Sequence, residues 1–152
     1  MSTATTLTAL WVVPVPDFGG VARHVLDVAR TGIPGYRLVV CAPEGKLTES
    51  LRELNIPVHA VLFGPSRGFR TSFASLTHVI EREKPTIVHS HLAYADVIAA
   101  AVINSLKMRR LANRSLTVPT LITTEHGIAG DDAVYHGTSW RSKLMEQVHR
   151  VR

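Results

Sequence analysis

The 152 residues are 45% apolar and 19% charged, which is enough apolar surface to bury a core and too little charge for a disordered chain. Ten glycines and eight prolines are scattered without period, which excludes collagen-like and low-complexity chains, and no block repeats to suggest a solenoid. A single cysteine, Cys41, excludes an internal disulfide framework and fits a reducing compartment, so the expected location is the cytoplasm. Seventeen basic against twelve acidic side chains give a net charge of +5 and favour anionic partners: phosphates, nucleic acid or an acidic membrane surface.

Residues 1–20 carry no Lys or Arg and place Pro14 and Pro16 through their apolar run, unlike a secretory leader. The apolar stretch 93–106 is interrupted by Asp96 and Asn104 and is too short to span a bilayer. Along the chain, apolar periodicity alternates between strand-like and helix-like. Leu7 to Val15 predicts a first strand, the turn Pro16 to Gly20 follows, and Val21, Val25, Leu26, Val28 and Ala29 recur at helical spacing. Arg37 to Ala42 predicts a second strand, Leu47, Leu51 and Leu54 a second helix, and Pro57 to Phe63 a third strand. After the break at Gly64 to Gly68, a third helix runs through Phe73, Leu76 and Ile80, and Thr86 to His91 reads as a buried strand. Val97 to Leu106 predicts a long helix, Val118 to Thr124 a fifth strand, and Trp140, Leu144 and Val148 a last helical stripe.

Strands separated by helices pair in parallel through right-handed crossovers. The chain is therefore expected to be one α/β domain over 1–152, a doubly wound, Rossmann-like sheet in the order 3-2-1-4-5. Ligands of such sheets sit beyond the carboxyl ends of the strands, at the switch point between the first and fourth strands. The residues at those ends are 17–20, 66–70, 89–94 and 125–127.

Gly19 and Gly20 would let the backbone approach a ligand at the start of a helix, where free N–H groups and the positive dipole end attract phosphate. A tight turn that binds nothing is the plainer alternative. The G-x-G-x-x-G fingerprint is absent, although Glu44 after the second strand could mimic its ribose-binding acid, and no G-x-x-x-x-G-K-[ST] occurs. His89 and His91 flank Ser90 at strand spacing and point to one side, with His126 at the end of the neighbouring strand. Three such imidazoles could hold zinc. The favoured alternative makes His89 structural and lets His91 and His126 reach the crevice as hydrogen-bond donors. Arg67, Arg70 and the neighbouring hydroxyls precede a helix and suit an anionic or polyhydroxylated ligand. Lys107, Arg109, Arg110 and Arg114 either complement a helix C-terminus or meet a membrane surface. No aromatic residues interleave with these charges, so no nucleic-acid partner is expected.

D-F-G-G-V-A-R-H-V-L-D-V-A-R at 17–30, K-P-T-I-V-H-S-H at 84–91 and T-T-E-H-G at 123–127 together resemble the amino-terminal domain of glycosyltransferase family 4, enzymes of GT-B architecture. The resemblance implies a retaining transfer of sugar from a nucleotide diphosphate sugar, the co-substrate, to a glycan, lipid or small-molecule acceptor, with no metal and no further cofactor. It implies that Gly19 and Gly20 approach the donor diphosphate and that His126 hydrogen-bonds the donor sugar near the reaction centre. Asp17, Phe18, Arg67, Arg70, His91, Tyr94 and Arg141 become candidates for the acceptor. The family's second domain, with its nucleotide pocket and acidic E-x7-E motif, has no counterpart in this sequence, so the chain reads as half an enzyme, inactive alone and working in the cytoplasm or at the inner membrane surface. The alternatives are a standalone Rossmann- or flavodoxin-like nucleotide- or phosphate-binding module and a metal-dependent hydrolase on His89, His91 and His126.

Overall fold

A computed structural model describes residues 7–126. Its elements alternate as expected: β1 (Leu7–Val12), α1 (Gly20–Thr31), β2 (Tyr36–Ala42), α2 (Lys46–Glu53), β3 (Val58–Ala60), α3 (Phe69–Glu83), β4 (Ile87–His91), α4 (Ala93–Ala112) and β5 (Thr120–Thr124). A short 3₁₀ turn, Pro65–Arg67, precedes α3. The five strands form one parallel sheet in the order β3-β2-β1-β4-β5. This is the Rossmann-like arrangement expected from the alternation. The stripe at Trp140, Leu144 and Val148 lies outside the described residues.

The central strands are apolar on both sides, and consecutive residues of β1 divide between the two layers. Leu10 and Val12 pack with Val39, Val88 and the buried sides of α3 and α4. Ala9, Trp11 and Val13 pack with Val40, α1 and α2 on the other face. Cys41 lies in the first of these layers, and burial pushes its thiol up to about 12, leaving it a small apolar side chain with no reactive thiolate.

Two strands are shorter than their apolar runs. β1 stops at Val12; the Val13 amide still donates to the Cys41 carbonyl at 2.9 Å, but Pro14 has no N–H to continue the ladder. β3 keeps only Val58–Ala60, since its neighbour β2 ends at Ala42 and passes into Pro43. Conversely, α3 and α4 start four residues before the first apolar position of their stripes, at Phe69 and Ala93. The loop leaving β1 is held by a close approach: a Cβ on Gly45 would meet Pro16 atoms at 2.7 Å, and the Leu47 amide donates to the Pro16 carbonyl at 3.0 Å. That contact ties the loop after β1 to the start of α2.

Leu10 has no exposed surface, whereas Leu111 on α4 is 76% exposed. Leu10→Ala should cost about 3 kcal/mol of stability and Leu111→Ala less than about 0.5 kcal/mol, read from urea unfolding midpoints. Equal effects would contradict this assignment of the core.

Candidate functional site

β1, β4 and β5 place a ring cluster at their carboxyl ends, on the sheet face that α1 covers. Trp11 pairs in register with His89, and His91 with Thr124. Because side chains alternate along a strand, His89 and His91 emerge on the Trp11 side, with their own rings 4.3 Å apart. Trp11 meets His89 edge-on at 4.8 Å and His91 at 4.6 Å, and stacks on His24 of α1 at 5.6 Å. His126, two residues past β5, closes the group at 5.2 Å from His91 and 5.4 Å from His24.

The hydrogen bonds separate the roles. Nδ1 of His91 lies 2.9 Å from Nε2 of His126, and Nε2 of His89 lies 2.7 Å from the Thr124 hydroxyl. His91 is fully buried, while His89 and His126 are part-exposed. Of the expected division, only the part that has His91 reaching the crevice is corrected; His89 is hydrogen-bonded to Thr124. His91 is enclosed at the end of β4, whereas His126 at the end of β5 is part-exposed. Direct contact between His91 and a bound acceptor would need the His126 segment to move.

Burial also sets the charge. It pushes His91 down to about 3, helped by the neighbouring His89, His126 and His24. His89 and His126 are lowered as well, chiefly by burial and then by their neighbours. At neutral pH these three imidazoles are uncharged groups that recognise ligands by hydrogen bonding. The zinc reading of His89, His91 and His126 finds no support in this arrangement. His91 and His126 direct a nitrogen each at the other, and among the described residues no three His, Cys, Asp or Glu side chains are arranged to hold a metal ion.

The turn from β4 into α4 is strained and firmly held. Leu92 adopts φ 71°, a conformation uncommon in non-glycine residues. Its amide donates to the Thr124 carbonyl at 3.2 Å, and its carbonyl accepts from the Asp96 amide at 3.1 Å. Beneath it the buried Ser90 hydroxyl donates to Asp96 at 2.6 Å. This anchoring fixes His91 relative to β5.

Gly19 is the residue just before α1 and Gly20 its first residue. Gly19 is extended, and among the described residues a Cβ at either position would meet nothing within 4 Å and no side chain caps the helix. Neither the backbone conformation of Gly19 nor crowding by the described residues demands glycine there, and among those residues the space beside the helix start is open. Asp17 and Phe18 flank it and are exposed. His24, one turn into α1, links this loop to His126 through the ring contact above. Sequence reasoning missed both His24 and Trp11; the signals were the one-turn spacing from Gly20 to His24 and the register of Trp11 against His89.

The other candidates stand apart. Arg67 lines a small concavity with Pro43, Glu44 and Leu62 at the ends of β2 and β3, and Arg70 is exposed in the first turn of α3. Among the described residues neither makes a hydrogen bond, ion pair or ring contact with the histidines. Tyr94 is engaged with the core: its hydroxyl lies 3.0 Å from that of buried Ser72, and its ring meets Phe63 edge-on. Glu44, the would-be ribose acid, accepts from Arg52 at 2.5 and 2.8 Å and from Thr48 at 3.1 Å. The Arg52 guanidinium holds it down at about 2. Arg141 lies outside the described residues. A concavity of about 830 Å³ lies at the opposite end of α4, between Lys107, Arg110, Arg114 and the start of β5. It contains no imidazole or carboxylate and is remote from the switch point. No helix among the described residues is long and apolar enough to cross a membrane.

Since His91 is held neutral when folded and titrates near 6.5 when unfolded, the unfolded chain binds the extra proton below that value. Stability should therefore be undiminished above about pH 6.5 and fall by about 1.4 kcal/mol per pH unit below it from His91 alone. Urea unfolding between about pH 7 and about pH 5 measures the slope, which should be shallower in His91→Asn. An unchanged slope in that variant would contradict the assignment.

Comparison with known proteins agrees with the geometry. The sequence profile described as Glycosyltransferase Family 4 matches residues 18–151, from the glycine loop through β5 and beyond. No curated protein and no solved structure matches the chain. With a match over most of its length, the chain belongs to glycosyltransferase family 4.

Proposed function

We propose that this domain forms the acceptor side of a retaining glycosyltransferase that takes its sugar from a nucleotide diphosphate donor. One observation carries the reading. The His24 to His126 contact at 5.4 Å brings the open start of α1 beside the end of β5, so a single ligand can engage both. In this reading the diphosphate lies at Gly19 and Gly20, where unpaired helix N–H groups face it, and the sugar lies under His126. A neutral imidazole suits that place. It hydrogen-bonds a hydroxyl or ring oxygen without adding a cation beside the anomeric carbon, where positive charge develops in the transition state.

Asp17 and Phe18, exposed beside the same loop, are the best placed of the proposed acceptor contacts. Arg67 and Arg70 would meet only an acceptor long enough to extend past the ends of β2 and β3. His91 and Tyr94 would act from within the protein. The reading also supposes a second domain, facing this crevice, that holds the nucleotide and excludes water on closure. The reaction calls on no cofactor besides the sugar nucleotide, with helix N–H groups and basic side chains facing the departing diphosphate.

The test is His126→Ala in the protein as the cell makes it. Turnover with nucleotide diphosphate sugars should fall about 100-fold, as for loss of one transition-state hydrogen bond, while the thermal midpoint stays close to that of the parent. Unchanged turnover would remove His126 from the reaction.

A further inference from the structure

His91 is the fully buried histidine of the ring cluster, and its environment constrains more than its charge. Its Nδ1 faces Nε2 of His126 at 2.9 Å, and its Nε2, fully enclosed, has no hydrogen-bond partner among the described residues. A neutral imidazole carries one N–H and one lone pair, so only two arrangements exist. If His126 donated, the proton of His91 would sit on Nε2, leaving a buried N–H without an acceptor. If His91 donates from Nδ1, the enclosed atom is merely an unused lone pair. Orphaned buried N–H groups are the rarer and costlier case.

We infer that His91 is a positioning residue that fixes the tautomer of His126, donating from its Nδ1–H to Nε2 of His126 and so confining the His126 proton to Nδ1. Nδ1 of His126 has no partner among the described residues, and its ring is part-exposed. The pair thus leaves His126 with one N–H to offer the crevice, whose complement is an oxygen acceptor such as a sugar hydroxyl or a phosphoryl oxygen. The isolated imidazole of an unconstrained His126 would divide its proton between two nitrogens, and only one of those forms could donate there. The rings of Trp11, His89 and His24 confine His91 and keep water from its Nε2. The Leu92 turn holds the end of β4 against β5.

The use of that N–H on a sugar rests on the proposed function; the tautomer itself does not. The decisive experiment is long-range ¹H–¹⁵N correlation of the histidine rings in ¹⁵N-histidine-labelled protein at neutral pH, which reads directly which nitrogen carries the proton. Both His91 and His126 should be in the Nδ1–H form. Finding the proton on Nε2 of either ring would overturn the inference. In His91→Asn the amide N–H can replace the imidazole donor, so the His126 signal should keep its Nδ1–H signature. In His91→Gln, whose amide stands nearer to Nε2, it should move toward a mixture of forms. A signature unchanged in both variants would show that His91 does not set it. Turnover of the complete protein should follow the same order, falling about ten-fold or more in His91→Gln and recovering most of that in His91→Asn. Correct tautomers combined with full activity in His126→Ala would refute the proposed function and leave the tautomer assignment standing.

Discussion

The structure depends on one topological constraint: right-handed crossovers in a parallel sheet that grows from β1 in two directions. The first two crossovers place α1 and α2 on one face as the sheet extends through β2 to β3. The chain then returns across to β4, and α3 and α4 fall on the other face. At the carboxyl ends of β1 and β4 the two connections leave toward opposite faces, so nothing in the crossover pattern fills the space between them. Every feature at this site follows from that gap. The loop after β1 opens α1 toward it, the end of β4 delivers His91 to its floor, and the end of β5 brings His126 to its rim.

Desolvation then decides the chemistry of the crevice. His89, His91 and His126 packed together would repel one another if charged, and burial lowers all three, favouring their neutral forms. The pocket is consequently polar without a fixed cation at its centre. Neutral rings also hold specific tautomers, which charged ones do not, so the same burial that removes the charge makes the direction of each hydrogen bond meaningful. The strain at Leu92, held by the Thr124 and Asp96 contacts, belongs to the same machinery, because it sets the distance between β4 and β5 at the point where His91 meets His126.

The strand order was legible because alternating apolar periods admit few parallel arrangements, and the motif at 17–30 already marked the start of α1 as the place to look. The ends of β1 and β3 were less legible. Apolar runs continue to Val15 and Phe63, yet the ladder of β1 ends at its own Pro14 and that of β3 where β2 passes into Pro43. The pairing of His89 and His91 was visible in their two-residue spacing, whereas their order of burial was not. The sequence pattern singled out neither Trp11 nor His24. Their roles arise only from the meeting of α1, β1 and β5, contacts more than a hundred residues apart in sequence in the case of His24 and His126.

The central claim is that one ligand spans the start of α1 and the end of β5. It is tested most directly by backbone hydrogen exchange of the protein as the cell makes it, with and without a nucleotide diphosphate sugar. Residues 17–24 and 124–126 should be protected together, with the groove between α4 and the start of β5 unchanged. Protection confined to that groove, or to only one of the two segments, would contradict it.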